Sequence, residues 1–374
     1  MFLRNINKLF RKFETYIKPL NLIEISRSAV LHNFDLFQNK SVATHVWPVI
    51  KSNAYGYGIK QIVEILKDRH FDYYIADSYY EVIKIWEIEK HPVLLIGSVL
   101  PENFSKLDLV NLTLTIQDFE SLQALGKLLI PCKIHLKVNT GMNRQGIEPQ
   151  EIPKFLELLK QYPQVELEGV FSHLADAQNS THTKKQYQVF KSVINQIDRL
   201  GLGYKPKYFH LASTYGSPKV SDPAINALRL GLGLYGYGPY SDLKPALGFS
   251  SSITKVRSLK KGEKVGYGYT YTATKQTNIG IIPVGYYEGL DIRLSNKGYV
   301  KYQDKFYPII GKVCMNLSFV DFGKTIPNLF DSVEIIGLNP VNRNSILNIS
   351  SLCQTVPYEI LVHLSESIRR TIVD

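Results

Sequence analysis

The chain has 374 residues, 44% hydrophobic and 21% charged, which excludes intrinsic disorder and accommodates one large domain with a smaller one. Its formal charge is +11, yet the basic residues are scattered through periodic segments instead of one long tract, so charge is weak evidence for RNA or a membrane as a partner, and no nucleic acid is expected. Cys132, Cys314 and Cys353 are widely spaced, with neither a disulfide framework nor a metal-ligand spacing; a cytoplasmic, metal-free protein is expected.

Residues 1–20 read as a basic amphipathic helix: Phe2, Ile6, Leu9, Phe13 and Ile17 recur at helical spacing among Arg4, Lys8, Arg11, Lys12 and Lys18. The stretch has no continuous apolar core and no small-residue cleavage site, which argues against a secretory signal. Weak contact with a membrane surface and packing on the protein's own surface both remain open. No apolar run approaches the length of a membrane span.

NLIEIS, a short strand, follows; Ser26 is the expected N-cap of a helix carrying Val30, Leu31, Phe34 and Phe37. Strand-like runs then recur at residues 45–51, 71–76, 93–97, 112–116, 133–138, 167–174, 208–213 and 227–235. Amphipathic helical patterns such as IKQIVEILKDR, DFESLQALGKLL and EIPKFLELLKQY separate most of them. Apolar strands alternating with such helices predict an α/β fold, a parallel (β/α)8 barrel of the TIM type over residues 21–243, with its active site at the C-terminal strand ends. Residues 244–374 are strand-rich with Gly and charged turns, and predict a mostly β C-terminal domain.

A site on that rim requires polar residues at the strand ends. Lys51 closes the first run; Lys137, Asn139 and Arg144 follow the fifth; Ser172 and His173 end the sixth; His210, Ser213 and Thr214 lie on the seventh; Arg229 lies in the eighth. Each alone reads as a solvated or structural residue. Together on one rim they mark a site. Gly231, Gly233 and Gly236 spell a dinucleotide fingerprint, but Gly238 and Pro239 preclude a regular helix and Val256 stands where an acidic residue belongs, so a Rossmann site is excluded. The glycines remain suited to bringing backbone amides close to a phosphate.

PVIKSNAYGYG, HLKVNTGMNRQGI, FSHLADA, ALRLGLGLYG, VGYGYTYTA, IPVGYYEG and IIGKVCMN stand in the order and near the spacing found in alanine racemases. From about residue 21 to its end the chain resembles that family, enzymes with pyridoxal 5'-phosphate on a barrel followed by a β domain. The resemblance implies racemisation of alanine, supplying D-alanine for peptidoglycan, by a homodimer with shared active sites. It makes Lys51 the covalent cofactor anchor and one catalytic base, and Tyr271, from the partner subunit, the second. Tyr55, Thr214, the backbone of Gly231 and Leu232, and Tyr358 would hold the phosphate. Arg229, supported by His210, would face the pyridine nitrogen, with His173 beside the ring. Arg144 would bond the cofactor's phenolic oxygen and, with Met315, contact the substrate; Lys137 matches a lysine that many relatives carbamylate.

Physical chemistry agrees with these roles. Burial and neighbouring cations lower a lysine's pKa toward the neutral amine. A racemase needs one base on each face of the substrate carbon, and a tyrosine serving as one needs nearby positive charge, for which His173 and Arg229 are the expected sources. Arginine opposite the pyridine nitrogen leaves that nitrogen unprotonated, a weaker electron sink that suppresses transamination.

Four positions depart from the family's pattern: Asn139 and Asn316 where aspartate is usual, Ser213 where asparagine is usual, and Leu290 where an aromatic ring often flanks substrate access. They put substrate choice and rate in question. The alternatives are a racemase for another amino acid such as serine, and a non-catalytic pyridoxal-phosphate carrier, against which the second domain and Tyr271 argue.

Overall fold

The computed structural model describes residues 17–200, 203 and 205–374, and comprises two compact units. One unit runs Ser26–Ala246, with Asp374 added; the other joins Leu247–Val373 to the N-terminal segment ending at Ile25. Apart from residues 17–20, the amphipathic stretch expected over 1–20 lies outside the described residues.

The first strand, β1 (Asn21–Ser26), does not begin the barrel, contrary to the expected boundary at residue 21. It pairs antiparallel with a strand 222 to 230 residues downstream, Asn21 opposite Ser251 and Ile25 opposite Leu247. Its short alternating pattern suits any sheet with one apolar face, so long-range pairing decides its place. Ser26 then caps the helix Arg27–Lys40, its side chain accepting from the Ala29 amide at 3.1 Å, as expected.

The first unit is a (β/α)8 barrel. Its strands are β2 (His45–Pro48), β3 (Tyr74–Ala76), β4 (Val93–Leu95), β5 (Leu112–Ile116), β6 (Cys132–Lys137), β7 (Val165–Phe171), β8 (Tyr208–Ser213) and β9 (Ala227–Leu230). All pair in parallel, in the order β2-β9-β8-β7-β6-β5-β4-β3, and a Val49–Ile75 bridge joins the two ends. β3, β4, β5 and β9 are buried almost throughout, β3 and β4 with apolar residues alone, as strands covered on both faces must be. The eighth run is shorter than expected: after Leu230 the chain turns into a 3-10 helix, Leu232–Tyr235, closed by Gly236 at φ 96°.

Two register shifts matter for the site. One falls between Ile134 and His135 in the β6–β7 pair, the other between His210 and Ser213 in the β8–β9 pair. Such bulges re-aim side chains, here those of the barrel interior and rim.

The second unit is built on one sheet of β10 (Leu247–Ser252), β11 (Lys255–Leu259), β14 (Thr277–Ile282), β15 (Tyr299–Tyr302), β16 (Lys305–Ile310), β17 (Ser318–Gly323), β18 (Ser332–Ile336) and β19 (Arg369–Val373), completed by β1. A small ribbon pairs β12 (Lys264–Val265) with β13 (Tyr271–Thr272). β10 and β17 alternate buried and half-buried residues along their length, the period-2 signature of a sheet with one inner face.

Candidate active site

Lys51 follows β2 and begins an unusual turn. Ser52, Asn53, Ala54 and Tyr55 take φ of 54°, 51°, 52° and 54°, the left-handed region that costs non-glycine residues roughly 1–2 kcal/mol each. Hydrogen bonds hold the turn: the Ala54 amide to Ile50 O (2.9 Å), the Gly58 amide to Asn53 O (2.9 Å) and the Ile59 amide to Asn53 Oδ1 (3.1 Å). The Glu81 carboxylate accepts from the Ser52 amide at 2.5 Å and from Asp77 and Ser78 amides at 2.9 and 3.2 Å, tying this turn to the loop after β3. Strain held by so many bonds is a mark of functional sites. Lys51 Nζ lies 3.3 Å from Asp77 Oδ1; neither Asp77 nor Glu81 carries a sequence signal that singles it out.

Thr214 and Gly231 meet on the same rim. Thr214 Oγ1 accepts from the Gly233 amide at 3.0 Å. A Cβ on Gly231 would stand 2.7 Å from Tyr55 Oη, so only glycine allows this approach. Among the described residues, no protein group accepts from the amides of Gly231 or Leu232. Backbone donors of this kind, cleared of side chain, suit an anion.

Arg229 is buried and bonds two imidazoles and three carbonyls. Nη1 lies 2.5 Å from His210 Nδ1, and Nη2 lies 3.2 Å from His173 Nδ1; Nη2 also donates to Ser172 O at 2.7 Å and Leu211 O at 3.2 Å, and Nη1 to His210 O at 3.2 Å. No carboxylate touches it among the described residues. Burial, then the charge of Arg144, brings its pKa down to about 9. His173 is held at about 3 by burial and by Arg229, Arg144, Lys137 and Lys51 in turn, so it is a neutral acceptor.

Lys137, at the end of β6, donates to Gln145 Oε1 at 2.5 Å. Burial first, then Arg144 and Arg229, bring its pKa to about 8, within reach of the neutral amine. Arg144 is exposed and lines one small pocket with Lys137, Ser172 and His173. Asn139 organises this loop: its amide donates to Asn143 Oδ1 (2.9 Å) and Glu148 Oε1 (2.8 Å), and its Oδ1 accepts from two backbone amides. Aspartate there would face the Glu148 carboxylate, which accounts physically for the departure.

The remaining expected residues lie on the second unit. Tyr271, on β13, donates to Asp321 Oδ2 at 2.9 Å. Burial and this carboxylate push its pKa up to about 12. Met315 is exposed, and its carbonyl accepts from Tyr287 N at 2.9 Å; Tyr358 is half-exposed near the start of the helix Pro357–Val362. Asn316 donates to Glu288 Oε1 at 2.8 Å, again where aspartate would oppose a buried carboxylate. Leu290, expected to flank substrate access, is only 5% exposed; Tyr286 and Tyr287 are the exposed rings of that turn.

Comparison with known proteins agrees with this architecture. The family description for the alanine racemase N-terminal domain matches residues 25–239, and that for the C-terminal domain matches residues 246–372. An alanine racemase of Francisella tularensis subsp. tularensis is 30% identical over 369 residues, covering 95% of this chain and all of its own. A solved alanine racemase of Clostridium difficile 630 superposes with a TM-score of 0.87 at 25% identity over 96% of each chain. A histidine racemase of Leuconostoc mesenteroides has a TM-score of 0.86 at 22% identity, covering 96% of this chain and all of its own, a likeness of fold alone. With both domains matched and the barrel rim built as described, the chain belongs to the alanine racemase family.

Proposed function

We propose that the protein interconverts L- and D-alanine with pyridoxal 5'-phosphate, as a homodimer in the cytoplasm, supplying D-alanine for peptidoglycan. The rim residues fit that cofactor: an amine at a strand end, backbone amides with no protein acceptor beside a glycine that admits no side chain, and a buried arginine. Lys51 would carry it covalently; Tyr55, Thr214, Gly231 and Leu232 would hold its phosphate; Arg229 would face its ring nitrogen, with His173 beside the ring and Arg144 at its phenolic oxygen. The roles given to Tyr271, Met315 and Tyr358 rest on the family resemblance.

When bound, the cofactor stabilises the negative charge left at the substrate's α-carbon as its proton departs. This chain's residues then have three tasks. Lys51 Nζ moves a proton on one face and Tyr271 Oη of the partner subunit moves one on the other. Arg229, which keeps its proton, donates to the ring nitrogen without protonating it and so limits how far the charge spreads. The strained turn places Lys51 and Tyr55 ahead of binding.

Arg229 carries the proposal: a buried guanidinium that bonds two imidazoles and, among the described residues, no carboxylate is the donor an unprotonated ring nitrogen requires. Incubation of the cofactor-loaded protein with L-alanine in heavy water should exchange the α-proton and yield the D-enantiomer. Lys51→Ala should lose the yellow chromophore, while Tyr271→Phe should keep the colour and lose the conversion. A yellow wild-type protein inert toward alanine would reject this substrate.

A further inference from the structure

Behind Arg229 a chain of polar groups runs through the apolar barrel interior. His210 bridges two neighbours: its Nδ1 lies 2.5 Å from Arg229 Nη1, and its Nε2 lies 2.8 Å from His135 Nδ1. His135 Nε2 in turn lies 3.5 Å from Glu168 Oε2. His135 and His210 are fully buried and Glu168 is 3% exposed. Two features of the backbone make room for this arrangement. His135 follows the register shift of the β6–β7 pair, in which Glu168 of β7 is the extra residue, and it stands opposite Gly169, where a Cβ would come within 2.6 Å of the imidazole.

The chemistry gives the chain a direction. A guanidinium only donates, so His210 Nδ1 must accept and its Nε2 must carry the proton. That proton points at His135 Nδ1, which must accept, so the His135 proton sits on Nε2, facing Glu168. Both imidazoles are neutral: burial lowers the pKa of each, for His135 against the opposing pull of Glu168, and the charge of Arg229 adds to the lowering. Burial alone would raise the Glu168 carboxyl; the ring of His135, in contact at 3.5 Å without a hydrogen bond, and hydrogen bonds from Lys133 and Tyr73 outweigh it and hold the pKa at about 2. The Glu168 carboxylate, ion-paired with Lys133 at 2.7 Å, thus stands at one end of two aligned imidazoles and the buried Arg229 guanidinium at the other.

We propose that Glu168 and His135 are positioning residues for Arg229: they align the two imidazole dipoles toward it and supply, through them, the counter-charge that no direct carboxylate provides. Their consequence at the cofactor rests on the function proposed above; the relay itself does not. Without the anion, Arg229 gives up its proton to the ring nitrogen more readily, which strengthens the electron sink.

The test is nitrogen-15 NMR of the full-length, histidine-labelled protein, with and without pyridoxal phosphate. In the cofactor-free wild type, His135 and His210 should both be neutral and protonated on Nε2. A proton on Nδ1 of either, or an imidazolium, would overturn the relay without need of any variant. In Glu168→Gln the His210 Nδ1 resonance should move although the two residues do not touch; an unmoved resonance would reduce Glu168 to a partner of Lys133 and Tyr73. In the loaded enzyme, Glu168→Gln should raise abortive transamination relative to racemisation about tenfold, with KM for L-alanine unchanged. An unchanged ratio would remove the role at the cofactor. A wild-type enzyme inactive on alanine would sink the proposed activity and leave the tautomers to decide the relay.

Discussion

Asn139 and Asn316 illustrate how one residue type answers a neighbour's charge. Each donates a side-chain amide to a glutamate, Asn139 to Glu148 and Asn316 to Glu288, where a second carboxylate would face the first. Asn316→Asp should therefore cost about 1 kcal/mol at neutral pH, read as a lower Tm, because Glu288 is buried and would lose a donor and gain a like charge. The deficit should shrink in acid, where one carboxyl takes up a proton. Tyr271 is the opposite case: it donates to Asp321, which, together with burial, raises its pKa to about 12. A base must be deprotonated to act, so removing the carboxylate with Asp321→Asn should move the tyrosine-dependent limb of the kcat/KM profile to lower pH. A limb that stays in place would show that the ionisation seen there belongs to another group.

At the scale of the element, the turn after Lys51 is the costliest piece of backbone in the barrel unit: four consecutive non-glycine residues are left-handed, and Glu81, in the first turn of the helix Tyr79–Trp86, helps to hold them. Ser52 is exposed, so a substitution there tests the backbone with little change in packing. Ser52→Gly should raise stability by about 1 kcal/mol, part of the relief being offset by greater freedom of the unfolded chain, whereas β-branched Ser52→Val should lower it. Urea melts of the two variants check the sign. Register shifts work at the same scale. Those beside His135 and between His210 and Ser213 turn polar side chains of otherwise apolar strands toward the interior and the rim.

At the scale of the whole molecule, the proposal of shared sites has a direct test. Lys51→Ala and Tyr271→Phe homodimers should each be inactive. If every site takes its lysine from one subunit and its tyrosine from the other, mixing and exchanging them should restore about a quarter of wild-type activity, since half the dimers are mixed and each holds one intact site. No recovery despite verified subunit exchange would place both bases in one subunit.

What the sequence by itself determined is local. Apolar runs at regular spacing disclosed the eight barrel strands, Ser26 announced its helix, and the polar residues Lys51 and His173 marked the strand ends, because propensity and periodicity act over a few residues. The tertiary structure decided which distant segments meet. β1 pairs with β10 because its alternating pattern fits an apolar sheet face, which no local signal identifies. Asp77 reaches Lys51 across 26 residues, and Glu168 reaches His135 across 33, after strand register and a bulge have aimed them. Tyr271 reaches Asp321 for the same reason. A side chain's partner, burial and protonation depend on what folding brings beside it, and that is a property of the packed chain as a whole.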